Sequence, residues 1–179
     1  AGAGLNLVFG MEGADEIHGG SYRDEIHGGP DDDVIFGGFD AGAGDIIYGD
    51  DGDDQIDGGG GAFDELHGGT GNDTIWAAQE NPKDNVFSAA FPRESHSVHI
   101  FGDDGDDLLY GANYGWSELH GGEGNDTLYA GVGGSQILRG DGGNDSLRGS
   151  LGNDQLLGGT GDDDLFGAEG NDFLLGEDG

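Results

Sequence analysis

The residues best placed to do chemistry are aspartates in one recurring setting: Asp15, Asp24, Asp33, Asp45, Asp54, Asp64, Asp73, Asp107, Asp126, Asp145, Asp154, Asp163 and Asp172. Gly68–Trp76 reads G-G-T-G-N-D-T-I-W, Gly121–Tyr129 reads G-G-E-G-N-D-T-L-Y, and Gly158–Phe166 reads G-G-T-G-D-D-D-L-F. Most of the chain is this nine-residue unit with small edits. Glycines reach backbone angles that side-chained residues avoid, and they let carbonyls turn toward a common centre. The aspartate adds a hard, charged oxygen beside them. Carboxylate plus converging carbonyls suits a hard divalent cation, so the unit predicts a metal-binding turn. The three residues that follow alternate outward, inward, outward, as a very short strand does.

Composition sets the frame for these turns. The chain has 38 acidic residues against 5 Lys+Arg, a formal charge of −33, and 43 glycines. Such a composition ordinarily means disorder, but a disordered tail does not hold an aspartate and an apolar residue in fixed register. Nucleic acid and anionic membrane surfaces are poor partners for this charge, and divalent cations are good ones. There is no cysteine to staple a thin core. No apolar run reaches membrane-spanning length, and Ala1–Gly10 has no basic leader region. The sequence opens and stops inside repeats, which points to a piece of a larger protein.

The inward apolar position runs Val8, Ile17, Ile26, Ile35, Ile47, Ile56, Leu66, Ile75, then Ile100, Leu109, Leu119, Leu128, Leu138, Leu147, Leu156, Leu165 and Leu174. One apolar residue in nine cannot make an amphipathic helix, which needs spacings of three and four. A fixed period means a solenoid. Expansions precede Ile47, Leu66, Leu119 and Leu138. A longer insertion, Ala77–His99, holds Pro82 and Pro92 and no glycine. The expected organisation is one continuous solenoid: a first block of repeats over 1–76, the insertion over 77–99, and a second block over 100–179. Past Ile75, three units lack the aspartate and carry Val98, Ser117 or Gln136 instead.

G-G-x-G-x-D-x-U-x, with U large and apolar, resembles the signature of the RTX (repeats-in-toxin) calcium-binding family over nearly the whole chain except Ala77–His99. The resemblance implies an all-β fold, a right-handed parallel β-roll with two nonapeptide units per coil. It implies several calcium ions between stacked turns on both edges, held by the aspartates named above. It also implies a bacterial protein that leaves by type I secretion, folds on extracellular calcium, and resides outside the cell or at its surface. If two units make a coil, Asp15, Asp33, Asp54 and Asp73 stack on one edge and Asp24, Asp45 and Asp64 on the other. One buried apolar side chain per unit does not offset the ordering of nine residues, so the metal-free chain is expected to be unfolded. Past the insertion, Asp107, Asp126, Asp145 and Asp163 continue one file. The other runs Val98, Ser117, Gln136, Asp154, Asp172, and calcium is expected to be weak or absent over its first half.

No catalytic constellation is present: G-x-S-x-G is missing, and Ala41–Gly44 lacks the flanks of a dinucleotide loop. The segment is therefore expected not to be an enzyme. Besides a calcium-driven folding module, two further readings arise. One is a structural repeat of a surface layer, filament or adhesin, self-associating through open ends and aromatic faces. The other is a carbohydrate- or ice-binding face. Sugars would draw on outward rings such as Trp76 and Tyr129. Ice would need a regular Thr/Asn array, which here is broken, with Thr70 and Thr160 beside Asn72, Asn125, Asn144, Asn153 and Asn171.

Overall fold

The computed structural model describes residues 2–39, 44–60, 63–77 and 96–178, with the side chain of His96 set aside. Of the insertion, only Ala77 and 96–99 fall among them, and the expansion before Ile47 lies largely outside, at 40–43. The described chain is built of short parallel strands in two sheets. The nine-stranded sheet takes β1 (Leu7–Phe9), β3 (Glu25–Pro30), β5 (Ile46–Asp51), β7 (Glu65–Thr70), β9 (His96–Asp104), β11 (Gly115–Glu123), β13 (Ile137–Gly142), β15 (Gln155–Thr160) and β17 (Phe173–Asp178). The eight-stranded sheet takes β2 (Glu16–Ser21), β4 (Val34–Phe39), β6 (Gln55–Gly60), β8 (Thr74–Trp76), β10 (Leu108–Tyr110), β12 (Thr127–Tyr129), β14 (Ser146–Arg148) and β16 (Asp164–Phe166). Consecutive strands alternate between sheets, and each pairs with the strand two places on. Two units therefore make one coil of a parallel β-roll.

Register follows the apolar position. Ile26 aligns with Ile47, Ile47 with Leu66, and Leu66 with Ile100 across the insertion. On the opposite sheet Ile56 aligns with Ile75, and Ile75 with Leu109. A register set by one buried residue per strand cannot slip by one without turning that residue to solvent. These side chains form one continuous file between the sheets, from Ile17 to Leu156, with Val8 and Leu165 packed at its ends.

The two edges of the roll are unlike. Turns leading from the nine- to the eight-stranded sheet (edge I) keep the apolar residues nine apart throughout: 8 to 17, 26 to 35, 47 to 56, 66 to 75, 100 to 109, 119 to 128, 138 to 147 and 156 to 165. Every expansion and the insertion fall on the return turns (edge II). From β8 onward the strands leading into edge II shorten to three residues. There the glycine pair of the unit has become Ala77-Ala78, Gly111-Ala112, Ala130-Gly131, Gly149-Ser150 or Gly167-Ala168.

Candidate metal centre

Strand alternation decides where the aspartates point. The aspartate, the apolar residue two places on and the first glycine two places further share a face. That face is the inside. Asp54, Asp73 and Asp126 are each 1% exposed, so the carboxylates line the interior at the edges of the roll and not its outer rim.

On edge I each carboxylate spans two coils. Its Oδ1 accepts the backbone N–H of the aspartate one coil earlier: Asp15 to Asp33, Asp33 to Asp54, Asp54 to Asp73, Asp73 to Asp107, Asp107 to Asp126, Asp126 to Asp145 and Asp145 to Asp163, at 2.7–3.0 Å. The second oxygen, Oδ2, is buried without a protein hydrogen-bond partner in Asp15, Asp33, Asp54, Asp73, Asp107, Asp126, Asp145 and Asp163. A buried anionic oxygen without a partner is strongly unfavourable unless a cation or a proton meets it.

The first glycine of each turn shows what surrounds that oxygen. A β-carbon on Gly28 would collide with Asp33 Oδ2 and the Gly49 carbonyl of the next coil. The same pairing recurs at Gly68 (Asp73 Oδ2, Gly102 O), Gly102 (Asp107 Oδ2, Gly121 O) and Gly121 (Asp126 Oδ2, Gly140 O). Glycine is required here for space, since a carboxylate oxygen and a carbonyl oxygen already crowd the position. Among the described residues no three His, Cys, Asp or Glu side chains converge as a metal cluster. An ion would have to draw most of its ligands from backbone carbonyls, which suits calcium with its many hard oxygens and flexible geometry. The residues fit the ion. Asp Oδ2 of one turn and the first-glycine carbonyl of the next would hold it, and its charge would neutralise a file of buried carboxylates.

Burial raises the carboxyl pKa along this file, to about 7 for Asp73 and Asp126 and to about 6 for Asp54, Asp107 and Asp145. Asp33 moves the same way. The backbone N–H bond opposes the shift, and neighbouring carboxylates add to it. Repulsion within an uncompensated file is thus written into each group.

Edge II repeats the arrangement in part. Asn6 N–H donates to Asp24 Oδ1, Asp24 to Asp45 and Asp45 to Asp64. After the break at Val98, Ser117 and Gln136, Gln136 N–H donates to Asp154 Oδ1 and Asp154 to Asp172. Asp24 keeps an unpartnered Oδ2. In Asp154 that oxygen instead accepts the Ser150 N–H at 2.8 Å. The structure therefore places the predicted aspartates in one unbroken file and two short ones.

Two features were missed from sequence. The residue before the aspartate forms a second, exposed ladder running the opposite way: Asp53 N–H donates to Asp32, Asn72 to Asp53, Asp106 to Asn72, Asn125 to Asp106, Asn144 to Asn125 and Asp162 to Asn144, all at Oδ1. The signal was present, since from Asp32 onward these edge I positions are all Asp or Asn. The second feature lies on the outer face of the nine-stranded sheet, where Phe9, His27, Tyr48, His67, Phe101 and His120 stack face to face at 4.7–5.1 Å. His27, His67 and His120 reach Asp50, Asp103 and Asp141 of the following coil through Nδ1, at 3.1–3.4 Å. Those three aspartates occupy the second-glycine position with φ of 78°, 74° and 70°, a left-handed conformation that Asp tolerates better than most residues. The bond to Asp103 raises the His67 pKa, and the bond from His120 lowers that of Asp141. His99 packs edge-on to Trp116 at 5.3 Å.

A family model for the RTX calcium-binding nonapeptide repeat matches residues 9–43, 40–62, 63–81, 98–113, 117–137, 131–165 and 139–174. The chain belongs to that family. A search of curated proteins returned no match. The matched segments contain the edge I turns from Gly10 to Asp163, where the orphaned oxygens lie.

Proposed function

We propose that this RTX chain is a calcium-driven folding module of a secreted bacterial protein, not itself catalytic, that becomes ordered on meeting calcium outside the cell. The observation that carries the reading is the unbroken edge I file of buried, unpartnered Oδ2 atoms. A chain of net charge −33 with such a file inside has little reason to fold where free calcium is scarce. Millimolar calcium outside a cell would supply the missing charge at each coil, coupling folding to arrival.

The outer faces favour this reading over a sugar-binding one. Stacked sugars need exposed ring faces, but Tyr48, His67 and Phe101 turn their faces to one another, as do Tyr110 and Tyr129 at 5.1 Å. Tyr48, His67 and Phe101, inside the strip, have a stacked ring on both faces.

Far-UV circular dichroism during a calcium titration, with magnesium as control, tests the proposal. The expected result is a cooperative coil-to-β transition at about 10⁻⁴–10⁻³ M calcium and none with magnesium. Equal β content in chelator would sink it and favour a roll held by coil stacking or a partner.

A further inference from the structure

Edge II between Ala112 and Gln136 lacks the oxygen-lined hollow of edge I and fills it with protein donors. The Asp154 turn keeps a carboxylate and a carbonyl oxygen at Gly149 (Asp154 Oδ2, Gly167 O) but caps the carboxylate with the Ser150 N–H. Gln136 is fully buried. Its Nε2 donates to the carbonyls of Gly115 on the preceding coil and Gly133 in its own turn, at 3.1 and 3.0 Å. Ser117, also fully buried, accepts the Ala112 N–H through Oγ at 2.9 Å. Ser150 acts twice: its hydroxyl donates to Gly131 O, and its N–H takes the Asp154 Oδ2 that would otherwise face a cation. At Gly111 a β-carbon would meet the Gly131 N–H nitrogen, Ser117 Oγ and a Leu119 methyl, at 3.2–3.4 Å, where edge I presents carboxylate and carbonyl oxygens.

We infer that Gln136 and Ser150 are built-in substitutes for calcium, and that they exclude the ion from this stretch of edge II, including the turn of Asp154. An amide Nε2 placed between two carbonyls makes neutral hydrogen bonds to groups that would otherwise converge on a cation. A backbone N–H on Asp154 Oδ2 meets the oxygen that is left without a partner on edge I, and so competes with a cation for it. The chain thus has a seam pinned without metal, opposite a file that needs metal at each coil, and it binds fewer ions than its aspartates suggest. This inference rests on the calcium reading of edge I. It adds that Gln136 decides which coils go without the ion.

Counting bound calcium by native mass spectrometry at saturating calcium, for the full chain and for Gln136→Asp and Gln136→Leu, tests it. Gln136→Asp places a carboxylate beside the Gly115 and Gly133 carbonyls and is expected to bind one ion more than the parent. Gln136→Leu is expected to keep the parent count. Its calcium midpoint should rise roughly twofold, because the loss of two buried hydrogen bonds is spread over several cooperative ions. If Gln136 Oε1, buried and unpartnered, already holds an ion, Gln136→Leu loses one and Gln136→Asp gains none. Either result overturns the inference while leaving edge I intact. A parent chain that binds no calcium overturns both readings together.

Discussion

Protons should substitute for calcium on edge I. In the metal-free folded chain, Asp73 and Asp126 titrate near 7 and Asp54, Asp107 and Asp145 near 6, against an ordinary value of 3.8. A carboxyl whose folded pKa lies above its unfolded one binds its proton more tightly in the folded state. Folding in chelator is therefore opposed at pH 7 and progressively relieved as pH falls from about 7 toward 4. A shift of two to three units corresponds to about 3–4 kcal/mol per group. Halved for residual solvent screening, it is about 2 kcal/mol. Neighbouring groups share the same repulsion, so the five do not simply add, but together they oppose folding by a large fraction of the stability of a typical domain. The metal-free chain should thus be coil at pH 7.5 and gain β structure near pH 5, above its sequence pI of about 4.1. Far-UV circular dichroism in chelator across this range, at low concentration to avoid precipitation, reads the effect. A spectrum that stays coil-like throughout, or β content that falls on acidification, would refute the reasoning.

Other outcomes follow from the same geometry. Asp126→Asn should lower the calcium count and raise the folding midpoint severalfold, whereas Asp154→Asn, whose spare oxygen already accepts Ser150 N–H, should leave the count unchanged; isothermal titration separates the two. Gly121→Ala drives a methyl into Asp126 Oδ2 and Gly140 O and should cost at least ~2 kcal/mol, while Gly142→Ala meets only the flexible end of Glu123 and should be tolerated; chemical denaturation in calcium compares them. Asp103→Gly removes the carboxylate that faces His67 but relieves a positive φ of 74°, so stability should change by less than about 1 kcal/mol while the imidazole pKa, followed by NMR, falls.

The fold was legible because one apolar residue every nine fixed both strand position and register, and the two-unit coil then assigned each aspartate to an edge. Ile75 pairs with Leu109 across the insertion as that spacing requires. The inward aim of the carboxylates follows from strand alternation, yet acidic residues read as surface until a ligand is considered. The His67–Asp103 pair could not be seen, because 36 residues and the insertion separate its members. Nor could the role of Gln136 be read. Its position marked only a missing carboxylate, and the two carbonyls it meets become neighbours only when the coils stack. The confinement of every expansion to edge II was present in the spacing, but its meaning required knowing that edge I alone carries an uninterrupted file.

The most direct test of the central claim is a crystal structure of the calcium-loaded chain with anomalous scattering to locate the ions. Ions are expected between successive coils along edge I, each against an Asp Oδ2 and the first-glycine carbonyl of the next turn, with none beside Gln136. Ions confined to edge II or to the outer sheet faces, with the edge I oxygens unligated, would contradict it.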